Sequence, residues 1–437
     1  MTTISENETL TRVGPGTPMG ELMRQYWVPC AGSSELKADG DPVRIMILGE
    51  KLIAFRDSSG KLGILDQRCP HRRASLFYGR NEHGGIRCVY HGWKFDTDGN
   101  CLETQNVPNA DYNKRIKAKA YRAAERNGVV YVYMGAKEEP PALPGFECNQ
   151  VPEEDLFVRF TFRECNWLQA VEGELDTSHV GIMHFGAVTR EQLAGDPMQS
   201  YMVANKAPEY EIKETPYGYI YAAYRPADGE ELYWRYGHFS LPFWTSPPIN
   251  QMETNVLQRA FVPMDDTHTL FVSMFKKGAY PESRVQAQDG IAGASQNFPY
   301  LPNSTDWYGR WRLRANASND YELDREVQRT KSFTGIEGVQ LQDQAVQESM
   351  GAITDRESEN LAPSDIMIVR VRRLLLDAAR AWKEEGKLHF SAEHPEAYGG
   401  VRGGHLVAHR DRDWLETYAK AIAAAPWQDL GKVKSPA

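Results

Sequence analysis

Residues 69–93 read CPHRRASLFYGRNEHGGIRCVYHGW. The stretch holds two mixed pairs, Cys69-x-His71 and Cys88-x2-His91. Two thiols and two imidazoles this close together point to a metal. A structural zinc site usually pairs like ligands, cysteine with cysteine and histidine with histidine. A mixed-ligand [2Fe–2S] centre needs two thiolates on one iron and two imidazoles on the other. Two facing loops that each offer one Cys and one His supply that second arrangement, and Pro70 and Gly92 suit tight loops around a cluster edge. The donor pattern favours iron–sulphur. A zinc-stabilised binding module remains the alternative of another class.

The rest of the chain bounds what such a centre can serve. At 437 residues it is long enough for two or three domains. A formal net charge of −9 argues against nucleic acid as a partner, which calls for a basic excess. The opening residues have no basic and apolar regions of a signal peptide, and no apolar run is long enough to span a bilayer, so the cytoplasm is the expected compartment. Of the six cysteines, Cys30, Cys101, Cys148 and Cys165 have no ligand-like neighbours and read as small buried hydrophobes.

Residues 1–40 read as a leader with a short amphipathic helix, GELMRQYW, ending at Pro29. Over 41–137 short alternating segments with turns at Gly49-Glu50 and Ser59-Gly60 predict a small antiparallel β domain that contains the Cys/His stretch. The Pro-rich run at 138–144 reads as a linker, opening a third region, 138–437. There, alternating segments such as YEIKETPYGYIYAAYR and LYWRYGHFSLPFW, a hairpin turn at Asp265-Asp266, a loop over 279–305 and helical periods from about Gly338 predict an antiparallel sheet with segregated helices. The fold class is α+β.

A cluster that only passes electrons needs about a hundred residues, so the remaining chain asks for a second function. NWLQAVEGELDTSHVGIMHF contains Asp176-x2-His179-x4-His184. On one helix Asp176 and His179 share a face, but His179 and His184 would lie about 140° apart. For both to reach one metal the helix must bend or end between them, with Gly181 the natural place. Two histidines and a carboxylate with open positions make a non-haem Fe(II) site. A carboxylate candidate is Asp343, on a stripe with Val339, Val346 and Met350, where an acid is costly unless paired or metal-bound. The competing reading pairs Asp343 with Arg370 or Arg372, and Asp355 is a weaker candidate ligand.

The string C-P-H-R followed by G-x-x-C-x-Y-H-G-W-x-F closely resembles the Rieske signature of aromatic ring-hydroxylating oxygenases. The Asn-Trp…Asp-x2-His-x4-His run is similar to the catalytic motif of their α subunits. Nearly the whole chain looks like the phthalate dioxygenase branch, including LTRVGPGTPMGELMRQYW and FTGIEGVQLQDQAVQESMG. The resemblance implies a Rieske [2Fe–2S] domain followed by a helix-grip-like catalytic domain. It implies Cys69 and Cys88 on one cluster iron, His71 and His91 on the other, and His179, His184 and Asp343 on a mononuclear Fe(II). It also implies Asp176 as an electron-transfer bridge that hydrogen-bonds His179 and reaches His91 of a neighbouring subunit in a head-to-tail trimer, or a hexamer of stacked trimers. O2 would be co-substrate, with electrons from a separate flavin- and ferredoxin-type reductase. The chain lacks a G-x-G-x-x-G after a strand, so NAD(P)H would act only through that partner. One departure matters: Glu172-Gly173 stands where many relatives carry Glu-Asn, so no role of that amide transfers.

The expected reaction is hydroxylation of an aromatic carboxylate by ring dioxygenation, with O-demethylation of a methoxylated or aryloxy aromatic acid as the alternative. A carboxylate needs an Arg or Lys in an otherwise apolar pocket, and Lys206, Arg225, Arg235 and Arg259 are the candidates on the expected sheet.

Overall fold

The computed structural model describes residues 2–109, 111–189, 197–277 and 298–424. The chain opens with α1 (Ile4–Thr11) and α2 (Pro18–Met23), each started by a threonine whose hydroxyl accepts a backbone N–H of the first turn. The helix expected to run to Pro29 therefore stops earlier, because Trp27 and Pro29 belong to a strand, β1 (Trp27–Gly32). Proline is tolerated there because β1 is an edge strand whose register shifts between Pro29 and Ala31.

Nine further strands complete the N-terminal half: β2 (Val43–Ile47), β3 (Glu50–Arg56), β4 (Leu62–Asp66), β5 (Arg80–Glu82), β6 (Gly85–Arg87), β7 (Lys94–Phe95), β8 (Cys101–Glu103), β9 (Ala120–Arg126) and β10 (Val129–Tyr133). One sheet runs β1-β10-β9-β4-β3-β2 and a smaller one β5-β6-β7-β8, antiparallel throughout. The two Cys/His loops follow β4 and β6, over a separate small core built on Ile53, Phe55, Leu76, Ile86 and Phe95.

A third sheet contains β11 (Leu156–Arg163), β12 (Glu209–Thr215), β13 (Gly218–Pro226), β14 (Glu231–Ser240), β15 (Trp244–Ser246), β16 (Leu257–Pro263) and β17 (Thr269–Lys276), in the order β11-β17-β16-β15-β14-β13-β12. The turn between β16 and β17 falls at Asp265 and Asp266, as the sequence pattern expects. The expected 279–305 loop lies largely outside the described residues. A late strand, β18 (Gly404–His409), pairs with β14 after the helices and breaks the segregation expected of them.

Helices α3 (Trp167–Leu175), α4 (Pro197–Ala204), α5 (Arg325–Thr330), α6 (Val339–Ser349), α7 (Ile366–Glu385) and α8 (Trp414–Ala424) surround this sheet. Glu174 on α3 reaches Arg259 on β16, which places α3 over one face. On the other face Ile220, Ala222, Trp234 and Tyr236 pack against Trp414 and Tyr418 of α8. The principal core runs from α1 and β1 into this sheet. Among the described residues no helix is long and apolar enough to cross a membrane.

Candidate metal centres

The two Cys/His loops have the same backbone geometry. Cys69 N–H donates to the Ala74 carbonyl at 2.8 Å and Arg73 N–H to the Cys69 carbonyl at 2.9 Å. In the second loop Cys88 N–H donates to Trp93 at 2.8 Å and Gly92 N–H to Cys88 at 2.9 Å. The fifth residue of each loop is left-handed, Arg73 at φ 63° and Gly92 at φ 73°. At Gly92 an added Cβ would come within 2.0 Å of the Gln105 side chain, which would have to move to admit it.

Both thiols are buried, and the two imidazoles are partly exposed with ring centroids 4.5 Å apart. His71 stacks on Trp93. The Cys69 and Cys88 thiols are close enough to hydrogen-bond, which pulls Cys88 down to about 6 and pushes Cys69 up. Two buried sulphurs side by side, with two imidazoles toward solvent, fit a cluster held by thiolates on its inner side and imidazoles on its outer side. Cys30, Cys101, Cys148 and Cys165 are buried, as expected of hydrophobes.

The second set comes from three elements. Helix α3 ends at Leu175, and Asp176 is its C-cap. Asp176 and His179 therefore do not share a helix face as the spacing implied. The chain then winds into a π-turn over Val180–His184, closed by Phe185 N–H to the Val180 carbonyl at 3.2 Å. The wider turn removes the angular mismatch of the five-residue spacing, and Gly181 sits inside it. It brings His179 Nε2 and His184 Nε2 to 3.2 Å.

Asp343 on α6 completes the group, its Oδ1 3.4 Å from His179 Nε2 and 3.2 Å from His184 Nε2. Among the described residues these three form the group of His, Cys or carboxylate side chains whose ligand atoms converge within 4.8 Å. Burial works against a charge on His179, but hydrogen bonds to Asp176 and Asp343 and their charges lift it to about 10. Asp343 is held far below the carboxylate range against its burial by both histidines. Two imidazole Nε2 atoms converging with one carboxylate oxygen fit a divalent metal. The stripe argument for Asp343 was sound only in part, since Val346 and Met350 are exposed and the buried side of α6 carries Leu341, Gln342, Gln344, Ala345 and Gln347. Arg372 is taken by Glu172 and Glu359, Arg370 is exposed, and Asp355 is exposed and bonds Ser358.

Each imidazole is oriented from behind. Asp176 Oδ2 lies 3.5 Å from His179 Nδ1, while its Oδ1 accepts from Ser178 N–H and Oγ. Burial opposes the Asp176 charge, yet the bond to His179 keeps it below the usual range. His184 Nδ1 lies 2.7 Å from Gln342 Oε1. Gln342 Nε2 donates to the Ile336 carbonyl at 2.9 Å, which turns Oε1 toward the ring and leaves Nε2 of His184 free for a metal. Sequence reasoning missed Gln342, although its position beside Asp343 was the available signal.

It also missed a buried ion network under α3. Glu172 accepts from Arg356 Nη2 at 2.8 Å and from Arg372 Nε at 2.6 Å, and Arg372 continues to Glu359. At Gly173 an added Cβ would lie 2.2 Å from Gln347 Nε2, so the side-chain amide beside this position comes from Gln347. Of the basic candidates, Lys206 is exposed, Arg259 is bidentate to Glu174, and Arg225 and Arg235 are buried.

Residues 26–120 match the family described as Rieske [2Fe-2S] domain, and residues 132–435 match LigXa C-terminal domain like. The first match decides between zinc and iron–sulphur in favour of the cluster. The chain is 43% identical over 428 residues to the 3-chlorobenzoate-3,4-dioxygenase oxygenase subunit of Comamonas testosteroni, covering 97% of this chain and 99% of that one. It is 33% identical over 438 residues to the phthalate 4,5-dioxygenase oxygenase subunit of Pseudomonas putida, covering 97% and 96%. Among solved structures it superposes on NdmA of Pseudomonas putida CBB5 with caffeine at a TM-score of 0.57 and 18% identity, covering 91% of this chain and 100% of that one, a likeness of fold.

Proposed function

The chain belongs to the Rieske non-haem iron aromatic oxygenases, and on that footing we propose that it is the oxygenase component that hydroxylates an aromatic carboxylate by ring dioxygenation. The observation that carries this reading is a converging histidine–aspartate group and a Rieske-domain match in one chain, which aligns over 97% of its length with oxygenase subunits acting, by name, on 3-chlorobenzoate and phthalate. Cys69, Cys88, His71 and His91 would hold the cluster, and His179, His184 and Asp343 the mononuclear iron. When bound, these groups supply single-electron transfer and O2 activation. The electrons come from a separate reductase that takes them from NAD(P)H.

The protein's own part is positioning. Asp176 and Gln342 hold the two imidazoles so that Nε2 of each faces the centre. Asp176 is also the bridge to His91 of a neighbouring subunit in a head-to-tail ring, which closes naturally as a trimer. Exposed apolar side chains at both ends support that contact: Val89 and Tyr90 beside His91, and Ile182, Val346 and Met350 around the histidine–aspartate group.

Product analysis with a surrogate reductase, NADH and O2 tests the reading. Benzoates and phthalates should gain two oxygens and two hydrogens. Formaldehyde with a phenol from a methoxylated acid would replace dioxygenation by O-demethylation, and O2 uptake without any hydroxylated aromatic product would sink the aromatic-acid assignment.

A further inference from the structure

The sheet face beneath the histidine–aspartate group carries two buried guanidinium groups side by side. Ala223 on β13 is directly opposite Arg235 on β14, and Arg225 lies two residues further along β13, so the two arginines are diagonal neighbours on one face. Tyr210 on β12 is opposite Ala223 and joins them on that face. Arg225 is 0% exposed and Arg235 6%.

Their hydrogen bonding is incomplete. Arg225 Nε donates to the Asn205 carbonyl at 2.8 Å, but Nη1 and Nη2 have no partner. Arg235 Nη1 rests against the Met202 sulphur at 2.7 Å, a weak and uncharged acceptor, and its Nε has no partner. The Tyr210 hydroxyl is buried without a partner as well. Burial and then the Arg235 charge push Arg225 down to about 10, so it remains a cation at neutral pH. Asp176 acts on Arg225 through its charge alone, its own hydrogen bonds going to Ser178 and His179.

Two adjacent buried cations with free donors are costly unless an anion completes them. A trapped water could take the hydrogen bonds but would leave the like charges facing each other. A carboxylate does both, because its two oxygens match the planar fork of a guanidinium. The other candidates drop out: Lys206 is exposed and Arg259 is neutralised by Glu174. The position also suits a substrate. Met202, which touches Arg235, packs in one apolar group with Tyr233, Val180 and Phe185; Val180 opens the π-turn that carries His184 and Phe185 follows it.

We propose that Arg225, Arg235 and the Tyr210 hydroxyl form the subsite that binds the carboxylate of an aromatic acid, with the ring lying against Val180, Phe185, Met202 and Tyr233 toward the metal ligands. This rests on the oxygenase reading above and assigns the group that selects an acid over a neutral aromatic.

Calorimetric titration of the iron-loaded protein with benzoate, 3-chlorobenzoate and phthalate, each beside its methyl ester, tests it. Wild type should bind at least one acid and discriminate against its ester. Arg225→Gln should weaken that acid on the order of 100-fold, with the ester unaffected. Arg225→Lys should recover part of the loss, and Arg235→Gln should weaken the acid independently, which keeps the test standing if one variant fails to fold. The proposal is overturned if both Gln variants bind every acid as wild type does, if acid and ester bind alike, or if wild type binds no acid. Turnover of neutral aromatics in that last case would leave the oxygenase reading intact, whereas a protein with no mononuclear iron would remove that reading instead.

Discussion

Gln342 Oε1 accepts a hydrogen bond from His184 Nδ1 at 2.7 Å, one residue away along the chain from the carboxylate that faces the same histidine. Helix α6 thus supplies both a candidate ligand and the group that aims a second one. Gln342→Leu should lower affinity for the mononuclear iron by about 10- to 100-fold, the usual cost of losing such a support. Iron titration of the apo-site checks it, and the cluster's visible absorption should not change.

The two ligand sets should be separable. His179→Ala and Asp343→Asn should abolish mononuclear iron and product formation while the cluster spectrum persists. Cys88→Ser should remove the cluster colour. Iron counting with spectroscopy would contradict the assignment if His179→Ala left the iron content unchanged.

Glu172 neutralises two buried guanidinium groups beneath α3. Arg356 and Arg372, with attraction and direct hydrogen bonds, hold its carboxyl below the usual range although burial opposes this. Glu172→Ala would leave Arg356 with Asn7 and Arg372 with Thr2 and Glu359, and should cost about 3 kcal/mol of stability. Chemical denaturation followed by circular dichroism measures it, and a loss within experimental error would show the network to be dispensable.

His238 is buried and neutral. Its Nδ1 accepts from the Tyr217 hydroxyl at 2.9 Å and its Nε2 donates to the Arg402 carbonyl at 3.0 Å. Burial pushes it from the ordinary 6.5 down to about 4, so between those values the unfolded chain binds more protons than the native one. Stability is therefore full above pH 6.5 and is lost as pH falls toward 4. That group should account for about 2 kcal/mol of the loss between pH 7 and pH 5. His238→Gln should flatten this acid limb, measured as stability against pH. An unchanged slope would mean that other groups set it.

Much of the grouping of candidate ligands was legible because it is local. Cys69 and His71, and Cys88 and His91, sit in loops closed by hydrogen bonds that span no more than five residues, so chain spacing alone puts each thiol beside its imidazole. His179 and His184 were readable as a pair for the same reason. The π-turn that unites them was not, because an ideal helix is the only geometry that spacing can assume. The helix expected to reach Pro29 failed on competition: β10 offers Trp27 and Val28 a pairing partner from a hundred residues away.

By itself the sequence determined the donor types, their short-range spacing and the two-part α+β plan, since these depend on side-chain chemistry and on periodicity within a turn or strand. Tertiary structure decided the rest. It brought Asp343 and Gln342 to a histidine more than 150 residues earlier, exposed Val346 and Met350 where a stripe promised burial, and sorted four basic residues into Lys206 exposed, Arg259 paired with Glu174, and Arg225 and Arg235 buried with unfilled donors. Strand alternation says that residues two apart share a face, but not which face. That choice is made by strand register and by which helix covers the sheet, and both are set by contacts between parts of the chain far apart in sequence.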